Sequence, residues 1–232
     1  NLINNTVISL FKDKDQNIWV GHWTDGVDLY SPYHNQFKVH EDFGGLFRGK
    51  VGSVHSFLEL DGNLWIGTDV GLIAYNRKEN KYSLYPVEQE EVRYLYAENK
   101  HTIWVSTYKK GIYTFDTRLK RYTGKMPVKS NVHIHSISRD KEGNYWMGSF
   151  TNGRLLRYKP TTGKVEDRFV QKGDSNFFSL INVQQVLADG EHIWVATRSD
   201  GLYRYNYITG MLAQYKFSAK DVSSISNNNV ST

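Results

Sequence analysis

Apolar and polar residues alternate one by one along this chain in short runs, and the runs are punctuated by turns rich in Asp, Asn and Gly. The clearest run sets a tryptophan between aliphatic residues, and it recurs: NIWVG at 17, NLWIG at 63, TIWVS at 102, NYWMG at 144 and HIWVA at 192. Five of the six tryptophans therefore occupy one repeat position. Six or seven residues after each, a glycine opens a second alternating run: GVDLY from 26, GLIAY from 71, GIYTF from 111, GRLLRY from 153 and GLYRY from 201. A turn and another aromatic come next, as in NQFKV and NKYSL, and one more run starts eleven or twelve residues before each tryptophan, at Val7, Val54, Val92, Ile134 and Val183. A period of two predicts strands, and no stretch keeps helical spacing long enough to compete. The turns ahead of the tryptophan runs (DKDQN, LDGN, ENKHT, DKEGN, DGEH) hold residues that bond their own backbone or accept positive φ.

Four short strands per repeat of this length predict an all-β fold, a β-propeller, because a lone four-stranded sheet leaves its faces wet whereas stacked blades cover them. The five blades fall at about 7–53, 54–91, 92–133, 134–182 and 183–229, and residues 230–232 read as the start of a sixth. In this arrangement each indole covers on the order of 150–250 Å² in the wedge between neighbouring sheets. The repeated tryptophans are thus assigned to the core.

Composition changes this picture little. The chain has 232 residues, 39% hydrophobic and 14% aromatic, enough for a real core. The net charge of +5, from 29 basic against 24 acidic residues, is spread without long like-charge runs, which argues against nucleic acid as a partner. With no cysteine there is no thiolate nucleophile, disulfide or zinc-thiolate site. His133 and His135 stand close together, but spacing places no third or fourth ligand, so no metal and no cofactor is expected. No run reaches the roughly 20 apolar residues of a membrane helix, and the first residues lack a signal-peptide layout.

Both ends cut the repeat at the same phase, which favours a segment of a larger propeller over a closed five-bladed ring. Were the missing blades truly absent, exchange or stacking with another copy is expected to cover the open faces.

The stretches VISLFKDKDQNIWVGHWTDGVDLY from Val7, LDGNLWIGTDVGLIAYN from Leu60, IHSISRDKEGNYWMGSFTNG from Ile134 and VATRSDGLYRYNYITG from Val195 resemble the two-component-regulator propeller repeats of hybrid two-component systems in glycan-degrading gut bacteria. DVG at 69 runs one residue short and GRLLRY at 153 one long. The resemblance implies a periplasmic sensor region with seven-bladed propellers, part of an inner-membrane receptor, commonly a homodimer. It implies a histidine kinase and phosphorelay outside this segment, and oligosaccharides released from polysaccharides as signals that control transcription.

Strand direction puts the loop after each tryptophan strand and the loops between blades on one rim. Two residues past the small residue that closes each tryptophan strand stand Trp23, Asp69, Tyr108, Phe150 and Arg198. Aromatic faces and charged groups at one rim position suit pyranose rings and their hydroxyls. Lys109, Lys110, Arg48, Lys50 and Asn152 fall on the same side and would meet acidic substituents. The acidic EQEEV loop at 88 reads as solvated, and SRDKEGNYW at 138 resembles the structural Asp-box turn of sialidases.

Three functions compete: a non-catalytic ligand sensor, a protein-interaction propeller and a five-bladed glycoside hydrolase. The last needs two carboxylates roughly 5 to 9.5 Å apart. Acids here cluster in the opposite turns (Asp13, Asp15, Asp61, Glu98, Asp140, Asp189), whereas the inner strands offer Ser9, His55, Arg93, Ser136 and Gln184. The segment is therefore read as a sensor without catalysis of its own.

Overall fold

A computed structural model describes residues 2–33, 36–39, 52–128, 132–149, 154–167 and 182–231. The all-β reading holds: the described residues contain five four-stranded antiparallel sheets and no helix. Each sheet is a meander in chain order. The first joins β1 (Val7–Lys12), β2 (Ile18–His22), β3 (Val27–Ser31) and β4 (Gln36–Val39). The second joins β5 (Val54–Leu60), β6 (Asn63–Thr68), β7 (Gly71–Asn76) and β8 (Lys81–Tyr85), and the third β9 (Val92–Asn99), β10 (Thr102–Thr107), β11 (Ile112–Asp116) and β12 (Arg121–Lys125). These three form one compact unit, Asn1–Met126. A second unit, Pro127–Thr232, holds β13 (Ile134–Arg139), β14 (Tyr145–Ser149), β15 (Arg154–Lys159) and β16 (Lys164–Glu166), then β17 (Val183–Asp189), β18 (His192–Thr197), β19 (Leu202–Asn206) and β20 (Leu212–Tyr215).

Inside each unit the tryptophan of one sheet is buried against the next. Trp19 packs among Val54, Ile66 and Tyr75, Trp65 among Val92, Val105 and Phe115, and Trp146 among Val183, Val195 and Tyr205. All three indoles are at most 1% exposed. Trp194, on the last sheet, is only half-buried and stacks on Tyr215 of its own sheet, 5.8 Å between centroids. Val230 joins that sheet through its N–H to Thr197 O, 2.9 Å.

The small residue that ends the tryptophan motif has a steric cause. A Cβ on Gly67 would lie 2.5 Å from Ser56 Oγ and 2.9 Å from Val92 Cγ1, the first residue of the next sheet's inner strand. Sheet-to-sheet approach at this point leaves no room for a methyl group. Gly67→Ala is expected to cost about 1–3 kcal/mol of unfolding free energy in denaturant titrations, as an overpacked core does.

The turn before the tryptophan is held in two copies by an aspartate. Asp13 accepts from Asn17 N (2.9 Å), Asn17 Nδ2 (3.1 Å) and the Trp19 indole N–H (2.8 Å). Asp140 repeats the pattern with Asn144 N (2.8 Å) and Trp146 Nε1 (2.8 Å). The Asp-box-like turn at 138 is therefore structural: its carboxylate satisfies a buried indole that would otherwise lose its hydrogen bond. Where Leu60 precedes Asp61, Trp65 Nε1 donates to Leu60 O instead, 3.0 Å.

One irregularity recurs in every sheet. The inner strand skips one residue in its pairing with the tryptophan strand, at Ile8, His55, Arg93, His135 and Gln184. A bulge of this kind re-aims the extra residue's side chain and commonly lies beside functional surfaces.

Candidate functional site

The rim position read from the sequence has a backbone counterpart. Trp23 N donates to Thr6 O (3.1 Å), Asp69 N to Ser53 O (3.3 Å), Tyr108 N to Glu91 O (3.0 Å) and Arg198 N to Asn182 O (3.0 Å). Each acceptor is the residue just before an inner strand, so this position is tied to the entry of its own sheet. Phe150 and Asn152, like Arg48 and Lys50, lie outside the described residues. Arg198 is exposed and belongs to the second unit.

In the first unit the structure brings the remaining candidates into one chain of contacts. Ser53 is the first joint: its carbonyl accepts from Asp69 N, and its hydroxyl donates to Trp23 O. Asp69 in turn holds Gly52 N through Oδ2, 3.0 Å. The Trp23 ring is 51% exposed and meets the bulged His55 edge to face, 6.4 Å between centroids. Glu91 is the second joint. Its carboxylate lies 3.8 Å from His55 Nε2 and pairs with the bulged Arg93, while its carbonyl receives Tyr108 N. The acidic loop at 88 is thus not simply solvated: Glu91 ties two sheets, and Glu90 Oε2 accepts from Lys109 N, 3.0 Å.

Tyr108 has a different part from the open platform the sequence suggested. The Arg93 guanidinium lies 4.9 Å and the Lys109 ammonium 5.4 Å from its ring centroid. The electron-rich face of the phenol draws these cations, so the ring holds charge in place. Trp23, at 51%, is more exposed than Tyr108, at 38%.

Next to Trp23 in the chain is one member of a pair that sequence reasoning passed over. The side chains of His22 and Asp28 are fully buried, 3.0 Å apart, and Asp28 Oδ2 also accepts from Ile3 N, 2.8 Å. Three other sheets have a threonine in the place of His22, and the hydroxyls of Thr68, Thr107 and Thr197 donate to Gly71, Gly111 and Gly201 O; the sheet of β13–β16 has Ser149 there. Asn4 Nδ2 completes the support by donating to Thr24 Oγ1 (2.9 Å) and Asp25 Oδ2 (2.8 Å). Hydrogen bonds from Asn4 and Thr24 hold the Asp25 carboxyl below the usual carboxylate range. The signal that would have found His55 and Arg93 is their repeat position, second in each inner strand. The bulge that re-aims them is invisible in composition or period.

His133 and His135 have ring centroids 5.6 Å apart, and no group of three or more potential metal ligands occurs among the described residues. Burial lowers the His135 pKa.

Comparison with known proteins agrees with the repeat. A family model described as "Two component regulator propeller" matches residues 1–24 and 128–151, the two stretches whose aspartates, Asp13 and Asp140, hold an indole N–H. No curated protein matches the chain by sequence. Among solved structures, two of the extracellular domain of BT4673 from B. thetaiotaomicron are similar. The first calls that protein a one component system and aligns at TM-score 0.66 and 20% identity, over 97% of this chain and 35% of its own. The second calls it a hybrid two component system and aligns at TM-score 0.52 and 19% identity, over 97% and 34%. The computationally designed Ika8 protein aligns at TM-score 0.63 and 14% identity, over 90% of this chain and 60% of its own. The chain spans about a third of the BT4673 domain. Residues 1–24 and 128–151 match the two component regulator propeller repeat, and the fold is that of a β-propeller.

Proposed function

We propose that this chain is part of the extracytoplasmic, periplasmic sensor region of a two-component receptor, and that its rim binds oligosaccharides released from polysaccharides. In this reading the segment itself does no chemistry. Binding alters a receptor, commonly a homodimer in the inner membrane, whose kinase lies outside these residues and controls transcription. The observation that supports it best is the half-exposed Trp23 ring, held at its backbone by Thr6 and Ser53 and flanked through His55 and Glu91 by charged groups. A flat apolar face with hydrogen-bonding neighbours suits a pyranose. To shift a receptor, the ligand must also bind two of its arrangements unequally.

Calorimetry with oligosaccharides drawn from a glycan-array screen tests this. Trp23→Ala is expected to weaken saccharide binding about tenfold, the loss of roughly 1.4 kcal/mol of stacking and burial. Saccharide binding that ignores Trp23→Ala would move the site elsewhere. No saccharide binding at all would favour the same rim as a docking surface for a protein.

A further inference from the structure

We propose that a cleft between the second and third sheets, at the end of the strands opposite the rim, is a ligand site for a single sugar ring bearing an acidic group. The evidence is a side chain that the repeat supplies elsewhere and omits here. Within each unit, an aromatic residue on the third strand of one sheet meets the tryptophan of the sheet before it: Tyr75 at 5.7 Å from Trp19, Phe115 at 5.3 Å from Trp65 and Tyr205 at 6.0 Å from Trp146. Two residues further on, a large side chain covers that same indole. Arg77 lies over Trp19 at 5.9 Å, and Tyr207 packs on Trp146 at 5.8 Å.

The counterpart for Trp65 is Thr117. It is too short to reach across the indole, and its hydroxyl is engaged by Asp61 Oδ2 at 3.0 Å. Beside Thr117 lies a cleft of about 220 Å³, with the partly exposed Tyr85 in its wall and Trp65, only 1% exposed and met by Tyr85 at 6.2 Å, at its floor. Pockets for drug-sized ligands run to roughly 300–1,000 Å³. A cleft below that range holds one ring, not a chain.

The polar lining names the chemistry. Asn63 and Asn76 face each other across the β6–β7 ladder. Asn63 spends its Nδ2 on Asp61 O (3.1 Å), which leaves its oxygen as an acceptor. Asn76 spends its oxygen on Lys78 N (3.0 Å) and Glu79 N (3.2 Å), which leaves its Nδ2 as a donor. An acceptor beside a donor matches a hydroxyl, which is both. Two ammoniums, Lys81 and Lys120, line the cleft against one carboxylate, Glu79, which lies 3.9 Å from Lys81 Nζ. The excess cation calls for an anionic substituent. Hydroxyls, an apolar ring face and one carboxylate together describe a free uronic acid.

Thermal unfolding with free galacturonate, glucuronate and galactose tests the site. A sugar acid at about 10 mM is expected to raise the wild-type Tm by roughly 2–4 °C, as a millimolar ligand does for a domain of this size. Thr117→Tyr, which copies Tyr207, is expected to fold with an unchanged or higher Tm and to lose the shift. Thr117→Arg, copying Arg77, serves should the tyrosine fail to pack, and Lys120→Ala is expected to remove most of the response. Trp23→Ala should keep it, which separates this cleft from the rim. The proposal falls if neither sugar acid shifts Tm, if the shift survives both substitutions at Thr117, or if galactose is as effective as galacturonate.

Discussion

Trp19→Ala is expected to cost about 3–5 kcal/mol of unfolding free energy, whereas Trp194→Ala should cost clearly less. Trp19 is 1% exposed and touches two sheets at once, with Tyr75 edge-on at 5.7 Å, Phe57 at 6.4 Å and Val54 at its side. Removing the indole deletes its transfer free energy and leaves a void that neighbouring strands cannot close, because both sheets are pinned by their own ladders. Trp194 holds the same repeat position but is half-buried, and its ring is met by Tyr215 and Arg204 of its own sheet. Parallel urea titrations of the two variants check this. Equal losses would show that the indole acts within its sheet, and would undercut the wedge role assigned to it.

The second large effect is expected at Asp13. Asp13→Ala strands the Trp19 indole N–H and Asn17 N, and takes one of three carboxylates from Arg77, which lies 3.0 Å from Asp13, 3.3 Å from Asp15 and 3.2 Å from Glu59. A loss of about 3 kcal/mol follows, since each orphaned buried donor costs about 1–3 kcal/mol and Arg77 keeps two partners. The same carboxylate sets a pH dependence. Burial alone would raise its pKa, but the indole, both Asn17 groups and Arg77 together hold it below the usual carboxylate range. A carboxyl whose folded pKa lies below its unfolded pKa adds stability that is fully present above the unfolded value and fades as pH falls through the folded one. Wild-type stability should therefore drop as pH falls below about 4, and Asp13→Asn, which cannot titrate, should flatten that limb. An acid limb unchanged in Asp13→Asn would show that Asp13 is not its source.

Much of the fold was legible because a period of two and a recurrent tryptophan report directly on which strand faces are buried. Trp19, Trp65 and Trp146 lie where the repeat put them. The rim was legible only as a position: counting along the motif located Trp23, Asp69, Tyr108 and Arg198, each tied to the entry of an inner strand. It did not show what those side chains touch. Tyr108 looked like an open platform and is engaged by Arg93 and Lys109, and Glu91 looked like a solvated acid and joins His55 to Arg93.

By itself, then, the order of residues determined the strands, their meander, the turn residues and the burial of Trp19, Trp65 and Trp146 between sheets, since all of these follow from interactions within a few tens of residues. Only the tertiary structure decided which groups meet between sheets. The bulges at His55 and Arg93 turn those side chains toward rings on other strands, and the cleft at Trp65 lies beside Thr117, which stands where Arg77 and Tyr207 stand elsewhere. Contacts of that kind depend on the distance and register between separately formed sheets. Hydrophobic alternation along one strand carries no measure of either.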